Sequence, residues 1–149
     1  MNKKLVIGIG NELRGDDAIG VHIVQALEKE HPGLAEYLIE QHDLSRIIEK
    51  WVEKEVVIID AIFPKKPEVG KVHLAHSFEE WKFESDKPFS SHSLGLIEMY
   101  KLAKELNKSY SSLLLIGIEG ENWGFGDDMS GLVSESIEQV KDLIINRLS

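Results

Sequence analysis

Three short, unbroken apolar runs constrain this chain most: Leu5-Val6-Ile7, Val56-Val57-Ile58-Ile59 and Leu113-Leu114-Leu115-Ile116. Each is too short for a helix. None alternates with polar residues, which is the pattern of a strand covered on both faces. Between the runs the period changes to that of a helix. From Asp16, residues Ile19, Ile23, Val24 and Leu27 share one helical face, closed by His31-Pro32-Gly33. Over 43–54, Leu44, Ile47, Ile48 and Trp51 recur at helical spacing, with Asp43 as N-cap. A helix over about 91–106 is expected to bury Leu96, Met99 or Tyr100, Ala103 and Leu106. A last one carries Val133, Ile137, Val140, Ile144 and Leu148 on one stripe. Weaker strands are predicted at 36–42 and 71–76. The link 61–70 has two prolines and no helical period, so 71–76 should return antiparallel. Strands alternating with helices predict an α/β protein. We expect one three-layer α/β/α domain over 1–149, with a mostly parallel mixed sheet of about five strands.

In such sheets functional groups gather at the carboxyl ends of the strands, here the loop after Gly10 and residue Asp60. Composition narrows the chemistry. With 17 basic against 26 acidic residues the formal charge is −9, which argues against non-specific nucleic-acid binding. The chain has no cysteine, so thiolate metal sites, disulfides and cysteine nucleophiles are excluded. No apolar run approaches a membrane span. Met1-Asn2-Lys3-Lys4 leads into no signal-peptide core, so a cytoplasmic location is expected. Neither a Gly-x-Ser-x-Gly elbow nor a His-Glu-x-x-His helix is present.

The loop "GIGNELRGDD", residues 8–17, begins like a phosphate binder. Gly8 and Gly10 fit a dinucleotide fingerprint, but Leu13 stands where the third glycine belongs. Gly10 and Gly15 match the spacing of a P-loop, yet Asp16-Asp17 replaces its Lys-Ser/Thr pair, so a phosphate would meet two carboxylates. One acid suits a helix N-terminus, and Asp16 is the better placed as cap. Asp17 is then left for a cation. Asp60 ends an apolar run, where a charge is unfavourable unless it accepts turn amides or binds metal. Among the histidines, His22 and His31 fall on the first helix and are expected at the surface. His73 and His76 are expected to face solvent. His92, in "FSSHSLGL", is either a surface or capping residue or a third ligand beside Asp17 and Asp60. Imidazole with two carboxylates suits a borderline divalent metal.

These segments resemble the maturation endopeptidases of nickel–iron hydrogenases. The family pattern of a strand, Gly-Asn-x-Leu-x-x-Asp-Asp/Glu and a helix start stands here as "GIGNELRGDDAIGV". An apolar strand ending in Asp-Ala stands as "VVIIDAIF", and a histidine before a helix as "SSHSLGLIEM". "IGIEGENWGFGDDMSG" is similar to the strand and glycine loop of one branch. The chain has Ala18 where the family often has Gly, and "EQHDLS" in place of an Asp-Gly-Gly-Thr segment. Some members place a histidine there, which makes His42 a candidate for substrate contact. The resemblance implies a phosphorylase/hydrolase-like fold and a cytoplasmic endopeptidase with Asp17, Asp60 and His92 as metal ligands. No catalytic side chain is assigned beyond these three. Its partner would be a nickel-loaded hydrogenase large-subunit precursor, from which it removes a C-terminal extension, using the substrate's nickel as a recognition signal. Other divalent ions would substitute for that nickel in crystals. The alternatives are a metal-dependent small-molecule hydrolase and a non-catalytic nucleotide- or phosphate-binding α/β module.

Overall fold

The computed structural model describes the backbone of residues 3–41, 43–80 and 91–149, and their side chains except those of 91–94. The three apolar runs become β1 (Lys4–Ile9), β3 (Glu55–Ile62) and β5 (Ser112–Glu119). These pair side by side in parallel. β2 (Glu36–Glu40) joins in parallel outside β1, and β4 (Val72–Ala75) joins antiparallel outside β5. The order is β2-β1-β3-β5-β4. The antiparallel return of β4 was expected, but β5 inserts between it and β3.

The unbroken hydrophobicity of the central strands follows from cover on both faces. On β3, Val57, Ile59 and Ala61 pack among Ile19, Ile23 and Leu27 of α1 (Ile19–Glu30) and Val140 and Ile144 of α4 (Gly131–Leu148). Val56, Ile58 and Ile62 point the other way. They meet Ile47 of α2 (Ser45–Lys50), Trp51, and Leu96, Met99 and Ala103 of α3 (Ser91–Glu105). The three-layer α/β/α domain with a mostly parallel mixed sheet is therefore the observed architecture.

Two helix expectations are corrected. The helix expected over 43–54 is only Ser45–Lys50. Its N-cap is Leu44, with no side-chain cap, rather than the expected Asp43, which stands one residue earlier and accepts from the Ser45 hydroxyl at 2.5 Å and amide at 3.1 Å. Those bonds, the hydroxyl first, hold its carboxyl below the usual range. Trp51 lies just past the helix end and is buried because its indole N–H donates to the Lys108 carbonyl at 2.8 Å. Leu106 is exposed rather than buried. α3 stops at Glu105, and Asn107 takes a left-handed conformation with φ 57°, which turns the chain out of the helical frame.

α1 lies backbone against backbone on the sheet. A Cβ on Gly20 would stand 2.6 Å from the Ile59 carbonyl oxygen and 3.0 Å from that of Ile9. One on Gly8 would stand 2.4 Å from the Gly20 oxygen. Only hydrogen fits at this seam, and the close approach brings the start of α1 down onto the strand ends. Gly20→Ala is expected to lose about 2–3 kcal/mol by forcing helix and sheet apart. Gly33→Ala, with nothing within 4 Å of the added methyl, is the control. Urea unfolding of both variants measures the difference.

Candidate functional site

From β1 the chain runs through α1 to β2 on one side, then through α2 to β3 on the other. The reversal of direction opens a crevice beyond the carboxyl end of β1, the usual ligand position in open α/β sheets. A single 3-10 turn, Gly15–Ala18, stands over that point and packs against β3. It carries both Asp16 and Asp17.

The two acids do different things. Asp16 is fully buried. Its Oδ2 accepts from the amides of Glu121 at 2.9 Å and Asn122 at 3.1 Å, and its Oδ1 from the amide of Ser130 at 2.7 Å. Its own amide donates back to the Asn122 carbonyl at 2.6 Å. The expectation that it caps its own helix is therefore corrected. No side chain caps this turn or α1, and the Asp16 carboxylate instead clasps the loop between β5 and α4. Satisfying three amides of another segment with one buried carboxylate outweighs one cap bond at a helix end that already accepts the chain in helical conformation.

Asp17, also buried, accepts from the Asn11 amide at 3.0 Å through Oδ2. Gly10, with φ 140°, lets the turn close so tightly that a Cβ there would stand 2.0 Å from the Asp17 carbonyl oxygen. The amides of Asn11, Leu13, Arg14, Asp16 and Asp17 are all donated within the protein, to Asp17 Oδ2, Asn11 Oδ1 and the Asn11, Asn122 and Arg14 carbonyls respectively. A phosphate would find those donors taken and a carboxylate beside them.

Asp60 is buried, but it does not end its strand. β3 continues to Ile62, and Asp60 sits opposite Gly117 of β5. By strand alternation it shares the face of Ile58 and Ile62, the face that α3 covers. His92 belongs to the first turn of α3, but its side chain is outside the described residues, as is all of His42. Among the described residues no three histidine or carboxylate groups stand together as a metal site.

Two further buried acids, Glu40 and Glu119, escaped sequence reasoning, although each ends a strand just as Asp60 was thought to. Glu40 closes β2, accepting the Asp43 amide at 3.2 Å with Arg46 3.6 Å away. Glu119 closes β5, accepting the Glu68 amide at 2.9 Å, and its other oxygen lies 2.6 Å from His73 Nε2. His73 is thus half-buried against a carboxylate rather than facing solvent, whereas His22, His31 and His76 are exposed as expected. The carboxyl rim of the sheet is a row of acids, a field that favours a cation.

The hydrogenase maturation protease family model matches residues 21–147. The chain belongs to that family. It is 29% identical to the hydrogenase 2 maturation protease of Escherichia coli, over 91% of this chain and 87% of that protein. The structure of the hydrogenase maturating endopeptidase HybD from E. coli superposes with a TM-score of 0.83 at 26% identity, covering 98% of this chain and 91% of the other. The fold is also that of a [NiFe] hydrogenase maturation protease, HybD, from Thermococcus kodakarensis, with a TM-score of 0.80 at 23% identity and 99% of each chain covered. The acidic turn precedes the matched stretch, so the roles of Asp16 and Asp17 rest on geometry. Among the described residues no helix is long and apolar enough to cross a membrane.

Proposed function

We propose that this protein removes the C-terminal extension of a nickel–iron hydrogenase large-subunit precursor after nickel has been inserted, and that Asp17, Asp60 and His92 meet the precursor's nickel. The observation that carries the reading is the burial of Asp17 and Asp60 at the carboxyl rim, in a chain that belongs to a peptidase family and has no cysteine. The Asp17 turn packs on the strand that bears Asp60, at the switch point of the sheet. The face of Asp60 is the one covered by the helix in which His92 stands. Carboxylates and an imidazole are ligands that a borderline divalent ion accepts.

In this reading nickel is part of the substrate. Three protein ligands leave the ion's other positions to the precursor, so the protease gains this metal contact only when the precursor is loaded. A metal in that position docks and aligns the peptide, and it can also polarise the scissile carbonyl and activate water. His42 is the proposed substrate contact, and a cytoplasmic location belongs to the same proposal, consistent with a cysteine-free chain. The test compares nickel-loaded and nickel-free precursor at equal concentrations of metal-stripped protease, reading product mass. Cleavage is expected only with the loaded form. Equal cleavage of both would remove nickel as the signal.

A further inference from the structure

Beside the acidic turn the protein displays large apolar side chains that remain mostly exposed. Leu13, Trp123 and Phe125 are 62%, 57% and 66% exposed. They come from two loops at the carboxyl rim, 10–14 and 120–130, which are bound into one body. The Gly126 amide donates to the Leu13 carbonyl at 2.9 Å, and the Asp16 amide to that of Asn122 at 2.6 Å. The Arg14 guanidinium lies 4.0 Å from the centre of the Phe125 ring. Trp123 leans edge-on against Phe63, ring centres 4.9 Å apart. The Asp16 carboxylate fastens both ends of the second loop, at Glu121 and Asn122 and again at Ser130. Surface-exposed apolar clusters of this kind, with Trp and Arg together, are the composition of binding hot spots. Holding them rigid beforehand reduces the entropy lost on binding.

The charge around the cluster narrows what covers it. Exposed Glu12, Glu121, Asp127 and Asp128 lie on these same two loops, whose sole Lys or Arg, Arg14, is stacked on Phe125. The complementary surface is apolar at its centre and basic at its edge. We infer that Leu13, Trp123 and Phe125 form a docking platform for an apolar segment of the large-subunit precursor flanked by Lys or Arg, seated next to Asp17. This rests on the proposed function and extends it from the metal to the protein surface of the substrate. The platform gives the protease an affinity for the precursor that is independent of nickel, while the metal decides whether the bound chain is cut.

The experiment measures steady-state cleavage of nickel-loaded precursor by wild type, by Trp123→Ser/Phe125→Ser and by Glu121→Lys/Asp128→Lys. Thermal melts of each full-length variant check folding. The aromatic double variant is expected to melt like wild type and to raise KM for the precursor by about tenfold, with kcat changed much less. The charge-reversal variant is expected to raise KM most at low salt, with the difference shrinking as salt is added. An unchanged KM in the aromatic variant, with Asp17→Asn still inactive, overturns the platform and leaves the proposed function standing. Failure of the wild type to cut loaded precursor removes that function and the platform's assigned partner with it. Concentration-dependent dimers of wild type that disappear in the aromatic variant would assign the face to a second copy of this chain and overturn the proposal.

Discussion

Asp17→Asn is expected to lower precursor cleavage by at least about a hundredfold, the scale on which removing one charged contact of a reacting centre acts, while the protein still folds. Asparagine has the shape of aspartate and keeps a side-chain oxygen for the Asn11 amide, now 3.0 Å from Asp17 Oδ2. What it lacks is the negative charge that a cation needs. Stability should therefore move by no more than about 1 kcal/mol, as for the loss of charge from a single hydrogen bond. A cleavage assay and a thermal melt on the same preparation decide it. A variant that cuts nickel-loaded precursor at the wild-type rate would show that Asp17 does not meet the metal.

The neighbouring acid should give the opposite result. Asp16→Ala leaves the amides of Glu121, Asn122 and Ser130 without the fully buried carboxylate that accepts them. Losing three charge-assisted, part-buried bonds at once is expected to remove about 3–5 kcal/mol of stability. Asp16→Asn keeps one acceptor oxygen but turns an N–H₂ toward a backbone N–H, so an intermediate loss of about 2 kcal/mol is expected. A helix cap alone would account for only about 1 kcal/mol. Denaturant unfolding separates the two roles. If Asp16→Ala unfolds within about 1 kcal/mol of wild type, the clasp is not what holds the loop between β5 and α4. Because that loop carries Trp123 and Phe125, the same variant should also weaken precursor binding in whatever fraction remains folded.

The layers of the fold were legible from the chain because they depend on local periodicity. An unbroken run such as Val56–Ile59 needs cover on two faces, and the stripe Ile19, Ile23, Val24, Leu27 needs a single apolar neighbour; one sheet between helices satisfies both. The buried carboxylate of Asp60 was legible for a related reason, since a charge beside an apolar run must be compensated by something, whereas Asp17 was singled out only as the second acid of its pair. Helix ends were less so. Leu106 fits the stripe of α3 but lies past the point where Asn107 turns left-handed, and a stripe does not register where the helix stops.

The sequence by itself determined the class of fold, the side of the sheet on which the acids gather, and the poor fit of a phosphate to a glycine loop that ends in Asp16-Asp17. Those follow from residue types and their spacing along the chain. Tertiary structure alone decided that Asp16 is a clasp rather than a helix cap, because the three amides that it holds come from residues more than a hundred positions away. It also decided why the glycines are there. Gly8 and Gly20 meet only once α1 lies on the sheet, and no property of either segment alone announces that the other backbone will stand within 3 Å of a missing methyl group. Long-range contacts of this kind are set by how close the elements pack, a distance that local preferences do not encode.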